Sequence, residues 1–337
     1  MKINDLYSIL PIAIKNKKPV LLLSSPGMGK SDVIKDIVEN TLGYDFMILH
    51  PVVSNPIDFK GLPVSGTINN ELVADFIPYG DLRKMMEAKN NLVVVLEDLG
   101  QSSVACQSAV MQIILAREIN GKKISDKVSF VAATNDKTDN AGVSGLITPM
   151  LSRFTGGIFK LEADSDSWID WAIKNNISVE LISYIKNKPS MLSTFDPKNK
   201  NIQNFACPRT IASLSDWISA GIINHEVFAA VVGEIFATEF MAYYKICTSI
   251  AKLPAEIIAN PTGANIPSKP DILYFILTAL ANKSKDEKTF SSVLTYANRL
   301  PKEYEAFFVK LIVTKNPKMK ETLTYINWHV KNQDVVV

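Results

Sequence analysis

Cysteine and histidine are both scarce, three of each in 337 residues. Cys106, Cys207 and Cys247 are too few and too scattered for a disulfide framework or a zinc site. His50, His225 and His329 are equally far apart, and none has a metal-ligand partner at ordinary spacing. A reduced, cytoplasmic setting is therefore the expectation. An excess of one charge is missing too: 36 Lys+Arg stand against 34 Asp+Glu, a net charge of +2. That balance argues against a general nucleic-acid binder, although a local basic patch could sit inside it. No run approaches the ~18 apolar residues of a membrane span, and the best stretch, Val227 to Tyr244, is broken by Glu234 and Glu239. The apolar segment Ile9–Ile14 contains Pro11 and leads into Lys15-Asn16-Lys17-Lys18, so it does not read as a signal peptide. Internal repeats and low-complexity tracts are absent.

What is present is an ordinary globular composition, 47% hydrophobic and 21% charged. At roughly 150 residues per domain, the length suits about two domains. The first half alternates β-branched runs with helical stretches, the pattern of a parallel α/β sheet. Strands are expected at Val20–Leu23, Asp45–His50, Leu92–Leu96, Ser129–Ala133 and Gly157–Leu161. The Leu92–Leu96 run is apolar at every position, as a strand covered on both faces should be. Between the second and third strands, Val64–Ile68 and Glu71–Phe76 flank Asn69-Asn70 and predict an inserted hairpin.

Beyond about residue 162 the strand signals stop. Asp164-Ser165-Asp166 introduces an amphipathic helix that carries Trp168, Trp171 and Ala172. Further helices are expected at Thr210–Ala220, Glu226–Ile250, Asp271–Ala281, Thr289–Arg299 and Glu303–Val313, with Pro254, Pro261 and Pro267 marking a linker-like stretch. Trp168, Trp171, Trp217 and Trp328 read as helix-core anchors rather than base-stacking platforms, and the basic runs Lys15–Lys18 and Lys186–Lys200 as solvated faces.

Chemistry concentrates in two places. Val20 to Lys35 reads strand, glycine-bearing loop, helix, and the loop segment is Ser25-Pro26-Gly27-Met28-Gly29-Lys30-Ser31-Asp32. The glycines would let the backbone approach phosphates, and successive N–H groups with the helix start would form an anion cradle. Lys30 would reach the β- and γ-phosphates of ATP, and the Ser31 hydroxyl would ligate Mg²⁺. Ser24 stands where the G-x-x-x-x-G-K-[ST] pattern begins with glycine; the other reading is a tight turn that merely starts a helix. The second place is Glu97-Asp98, two carboxylates at the C-terminal end of an apolar strand, where ligands of open α/β sheets bind. In a phosphate-loop ATPase the first carboxylate holds Mg²⁺ and the second orients the attacking water. The usual order there is Asp then Glu, so the exchange lengthens one arm and shortens the other by a methylene. Capping of the following helix is the alternative use.

With SSPGMGKS, VVVLEDLGQ, AATN (Ala132–Asn135), LSRF (Leu151–Phe154) and CPRT (Cys207–Thr210) in this order, the chain resembles the AAA+ ATPases, within them the MoxR-like branch related to the dynein-type AAA modules. The resemblance runs from about residue 3 to 330. It implies a phosphate-loop parallel sheet in the order 5-1-4-3-2 over residues 1–162, an all-helical lid over 163–265 and a C-terminal helical extension over 266–337. Asn135 takes the sensor 1 position, where a neutral amide can bond the attacking water or the γ-phosphate; outside the family it reads equally as a turn residue. Arg153 takes the place of an arginine finger reaching the neighbouring subunit's ATP, and a surface salt bridge is its other reading. Arg117 is a second candidate for contacts between subunits. Arg209, just after Pro208, resembles sensor 2; a cation in a first helical turn faces the positive end of the dipole, which is mildly unfavourable, and the other reading pairs it with a nearby carboxylate.

The family reading is a Mg²⁺-dependent ATP hydrolase, a ring-forming and hexameric homo-oligomer acting as a chaperone-like remodeller or activator on a protein client. By analogy it would work with a von Willebrand factor A domain partner on a separate chain. The Gly61–Phe76 insertion is the candidate substrate- or partner-facing element. No membrane role is expected. A nucleic-acid-stimulated motor is the less favoured alternative, and an ATP-binding scaffold with weak hydrolysis, suggested by the Glu97-Asp98 order, is the other.

Overall fold

Alternation at period two governs the first part of the chain. In a computed structural model describing residues 1–68, 70–136, 145–199 and 201–333, successive residues of each central strand feed two different cores. Val20, Leu22, Val93, Val95, Val131 and Ala133 join one core, while Leu21, Val94, Leu96, Phe130 and Ala132 join the other. Burying each such Val or Leu contributes about 1.5–3 kcal/mol relative to exposure. The strands concerned are β1 (Val20–Ser24), β2 (Asp45–Leu49), β5 (Leu92–Leu96), β8 (Val128–Asn135) and β9 (Gly157–Lys160), paired in parallel in the order β2-β5-β8-β1-β9. Numbered among themselves, these five strands run 5-1-4-3-2 from the other edge, the sheet order of the AAA+ phosphate-loop NTPase fold.

Helices cover both faces. Leu6, Leu10 and Ile14 of α1 (Leu6–Lys15) pack with Ile34 of α2 (Lys30–Asp36) on one side. α2 continues without a break into a wider π-helical turn, Ile37–Leu42, that ends at the left-handed Gly43. Val110 and Ile113 of α5 (Val104–Ala116) and Leu82 and Met85 of α4 (Gly80–Glu87) cover the other face. This part also contains two shorter helices, α3 (Pro56–Lys60) and α6 (Thr148–Leu151).

The inserted hairpin forms from β3 (Leu62–Ile68) and β4 (Glu71–Ile77), antiparallel with Ile68 opposite Glu71. Asn70 has φ 65°, the sign that a two-residue hairpin turn requires; Asn69, the other half of the expected turn, lies outside the described residues. Lys122 ties the hairpin down through Asp75 at 3.0 Å. A second hairpin that the sequence reading lacks joins β6 (Glu118–Ile119) to β7 (Lys122–Lys123) across Asn120-Gly121, both at positive φ. Asn-Gly is the residue pair favoured in such turns.

Met1–Ala163, together with a short segment beginning at Asp196, forms one compact unit, and Asp164–Phe195 with the chain from Asn201 onward forms a second. In the described residues the second is helical: α7 (Ser165–Lys174), α8 (Val179–Asn187), α9 (Pro208–Ser219), α10 (His225–Val232), α11 (Glu234–Ser249), α12 (Leu253–Ala259), α13 (Pro270–Lys283), α14 (Glu287–Ala297), α15 (Lys302–Lys315) and α16 (Leu323–Lys331). One hydrophobic core joins them, with Tyr184, Phe228, Phe236, Phe240, Phe290 and Phe308 fully buried. Asp164 caps α7 as expected, its carboxylate accepting from Ser167 N at 2.9 Å.

Three expectations change. The single helix over 226–250 is two helices, because Gly233 adopts φ 83° and ψ 158°, which stops α10 and restarts the chain as α11. The proline-marked linker contains α12, since Pro254 occupies the first turn, where its missing N–H costs nothing. Trp168 and Trp328 are buried at 5% and 4% exposure, but Trp171 and Trp217 are 39% and 42% exposed and anchor no core. Among the described residues no helix is long and apolar enough to cross a membrane. The three cysteines are buried free thiols.

Candidate nucleotide site

The parallel sheet brings the C-terminal ends of β1, β5 and β8 to one edge, and the candidate residues gather there. The loop after β1 turns through Gly27 and Gly29 at φ 74° and 79°. This left-handed region is nearly free for glycine and strained for other residues. The turn delivers Lys30 and Ser31 to the start of α2, with Met28 and Lys30 buried, Ser25, Pro26 and Ser31 half-buried and Asp32 exposed.

Lys30 folds back over the sheet edge. Its Nζ donates to Ser24 Oγ at 2.9 Å, to the Ser24 carbonyl at 3.3 Å and to Asn135 Oδ1 at 3.1 Å. Ser24 and Asn135 are register partners across β1 and β8, and residues paired in this way face the same side of a sheet. One strand pairing therefore supplies both side-chain acceptors. The Ser24 hydroxyl donates in turn to the Ser25 carbonyl at 2.9 Å.

Ser31 Oγ donates to Glu97 Oε2 at 2.7 Å, so the phosphate loop and the acidic strand end touch directly. Glu97 is held by its own backbone, N–H to the Leu49 carbonyl at 2.9 Å, which continues the β2–β5 pairing one residue past β5. Asp98 leaves the strand in the left-handed region, φ 53° and ψ 32°, and its carbonyl accepts from Gln101 N at 2.9 Å. The turn is fixed from the next strand by Thr134, whose Oγ1 accepts from Gly100 N at 3.1 Å. Beside Asn135, Asp136 pairs with Lys160 of β9 at 2.8 Å.

No family model matches the chain, and no curated protein matches it. Solved structures do show likeness. A point mutant of Thermotoga maritima RuvB matches at 17% identity and TM-score 0.43, over 88% of this chain and 86% of that one. The T. maritima RuvB Holliday junction branch migration motor gives 17% and 0.41 over the same shares, 88% and 86%. NtrX from Brucella abortus in complex with ATP gives 11% and 0.38, over 99% of this chain and 68% of that one. The fold itself stands on the sheet order and on the phosphate loop.

The remaining candidates take no part in this group of bonds. Arg153 follows α6; its Nη1 donates to Ser152 Oγ at 2.7 Å, and its Nε is buried without a hydrogen-bond partner. Among the described residues no carboxylate pairs with it. Arg209 is exposed in the first turn of α9, in the second unit, again with no carboxylate partner among the described residues. That turn is fixed by Thr210, whose Oγ1 accepts from Cys207 N at 2.9 Å. Arg117 is committed internally: its Nη2 donates to the carbonyls of Ser125 at 2.8 Å and Val128 at 3.0 Å.

Chemically, this edge offers a lysine, a hydroxyl, a carboxylate and an amide beside the glycine-bearing loop. Ser31 Oγ and Glu97 Oε2 are hard oxygen donors already in contact, a set suited to Mg²⁺ rather than to a soft metal. Ser24 and Thr134 were missing from the sequence-based site. The departure of Ser24 from the glycine pattern was the available signal for the first; Thr134 carried none.

Proposed function

We propose that this chain is an ATPase of the AAA+ superfamily, a MoxR-like remodeller that hydrolyses ATP between the subunits of a cytoplasmic hexameric ring and acts on a protein client. The observation that carries the reading is the contact of Ser31 with Glu97, beside a Lys30 seated on Ser24 and Asn135. Lys30 and the backbone of Ser25–Asp32 would bind the phosphates. Ser31 and Glu97 would hold Mg²⁺, which supplies charge neutralisation when bound. Asp98 orients the attacking water and accepts its proton; the Asn135 amide steadies that water or the γ-phosphate. Arg153 serves a neighbouring subunit's site. Arg209 reports the nucleotide to a lid over 163–265, with 266–337 as an extension of it. A von Willebrand factor A partner and the β3–β4 hairpin as client-facing element belong to the same reading.

One observation favours a second reading, a nucleotide-binding scaffold with weak hydrolysis. Glu97, not Asp98, makes the Ser31 contact, which leaves the shorter carboxylate, on a left-handed backbone, to reach the water. A single experiment separates the two: phosphate release at saturating Mg-ATP by wild type, Asp98→Asn and Glu97→Gln, with nucleotide binding measured in parallel. Asparagine tolerates the left-handed region as aspartate does, so Asp98→Asn leaves the turn in place. The motor reading expects Asp98→Asn to bind ATP while its turnover falls by roughly 10²–10⁴. Wild type no faster than either variant would leave the scaffold.

A further inference from the structure

We propose that Ser24 is a positioning residue for Lys30: its hydroxyl anchors the ammonium on the protein side, leaving the Asn135 bond as the one a phosphate oxygen displaces. The inference rests on the phosphate-loop reading above and adds to it a residue that the loop pattern would have as glycine.

A lysine ammonium has three N–H donors and no acceptor. Here Ser24 accepts from Lys30 twice, and its hydroxyl bond, at 2.9 Å, is shorter than either the carbonyl bond at 3.3 Å or the Asn135 bond at 3.1 Å. Ser24 is 1% exposed. Its hydroxyl proton goes to the Ser25 carbonyl, which turns an Oγ lone pair toward Nζ. Glycine at this position would keep the long carbonyl bond and lose the short one. Both Ser24 bonds to Lys30 are buried, whereas Asn135 reaches Lys30 from a half-buried place at the end of β8. A phosphate arriving from solvent therefore meets the Asn135 side of the ammonium first. Exchange of this one bond would free the Asn135 amide at the moment nucleotide binds.

The test is competition binding of ATP and AMP, with Mg²⁺, to wild type, Ser24→Gly, Ser24→Ala, Ser24→Thr and Lys30→Ala. Lys30 addresses the β- and γ-phosphates, so a positioning role appears in the ATP-to-AMP affinity ratio, whereas a merely structural defect weakens both nucleotides together. The expected result is a ratio reduced about tenfold in Ser24→Gly and Ser24→Ala, the scale of one charge-assisted hydrogen bond. Ser24→Thr, which keeps the hydroxyl, should stay within about twofold of wild type. A ratio in Ser24→Ala or Ser24→Gly equal to or above wild type overturns the proposal, as does a parallel loss of ATP and AMP. If wild type prefers ATP no more than Lys30→Ala does, the phosphate-loop reading falls and the proposal with it. A wild type well above Lys30→Ala, with unchanged Ser24 variants, removes the Ser24 role alone.

Discussion

Arg117 shows how one residue can close several gaps in a fold. It ends α5 at φ 53°, and its own carbonyl accepts from Ile124 N at 2.8 Å. Its guanidinium then serves the carbonyls of Ser125 and Val128 and lies 5.9 Å from the Phe130 ring centre. Burial pushes its pKa down, and the charge of Asp126 opposes that shift. The Asn120-Gly121 hairpin is thereby pinned to the start of β8, the strand that ends in Asn135. Arg117→Ala removes two bonds to a charged donor, and a loss of about 2–3 kcal/mol is expected in urea unfolding of the purified protein. An unchanged midpoint with impaired self-association would instead make Arg117 a contact between subunits. Sequence alone does not separate these uses, because the two carbonyls it bonds lie eight and eleven positions downstream.

At the scale of elements, the central strands were legible because residues buried on both faces leave nothing polar to mislead: every residue of β5 is buried. Helix boundaries were harder where one residue reverses the usual meaning of its type. Pro254 read as a breaker but starts α12. Gly233 sat unremarked in an apolar helical pattern. There a side chain is excluded twice, by φ 83° and by the Asn204 carbonyl, which an added Cβ would meet at 2.8 Å. Gly233→Ala should therefore destabilise the helical unit by at least about 1–3 kcal/mol, read by chemical denaturation followed by circular dichroism; a neutral result would refute the break. Between α8 and α11, Lys188 bonds Glu239 at 2.6 Å and Tyr184 adds a second donor at 3.2 Å. The Lys188 bond chiefly holds the Glu239 carboxyl below its ordinary value of 4.5. A depressed carboxyl pKa stabilises the fold above the ordinary value, and the gain disappears as pH falls through the folded one. The stability of wild type over Glu239→Gln should thus be level at neutral pH and shrink on acidification below about 4.5. Both partners are more than a third exposed, so the gap is at most about 1 kcal/mol. A gap that widens in acid would contradict it.

For the whole molecule, the order of motifs along the chain was enough to anticipate the sheet order, through the family resemblance that those motifs carry. It was also enough to bring the phosphate loop to Glu97. What composition and spacing could not reveal is the contact of residues far apart in sequence: Lys30 meets Asn135 across 105 positions, and only the β1–β8 register decides that. Assembly is tested by mixing. If Arg153 completes a neighbour's site, Arg153→Ala and Lys30→Ala subunits, each inactive alone, should regain part of the wild-type phosphate release when combined. No recovery at any ratio would count against a shared site.

The pairing of Ser24 with Asn135 has a consequence for quality control. A one-residue slip between parallel strands turns every side chain to the opposite face, so a misregistered sheet would offer Lys30 a different seat. A ligand that binds only the native arrangement, at a hundred times its dissociation constant, stabilises that arrangement by about 2.7 kcal/mol. Nucleotide would then act as a proofreader of strand register, rewarding chains whose β1 and β8 have met in the right frame and withholding that stability from the rest.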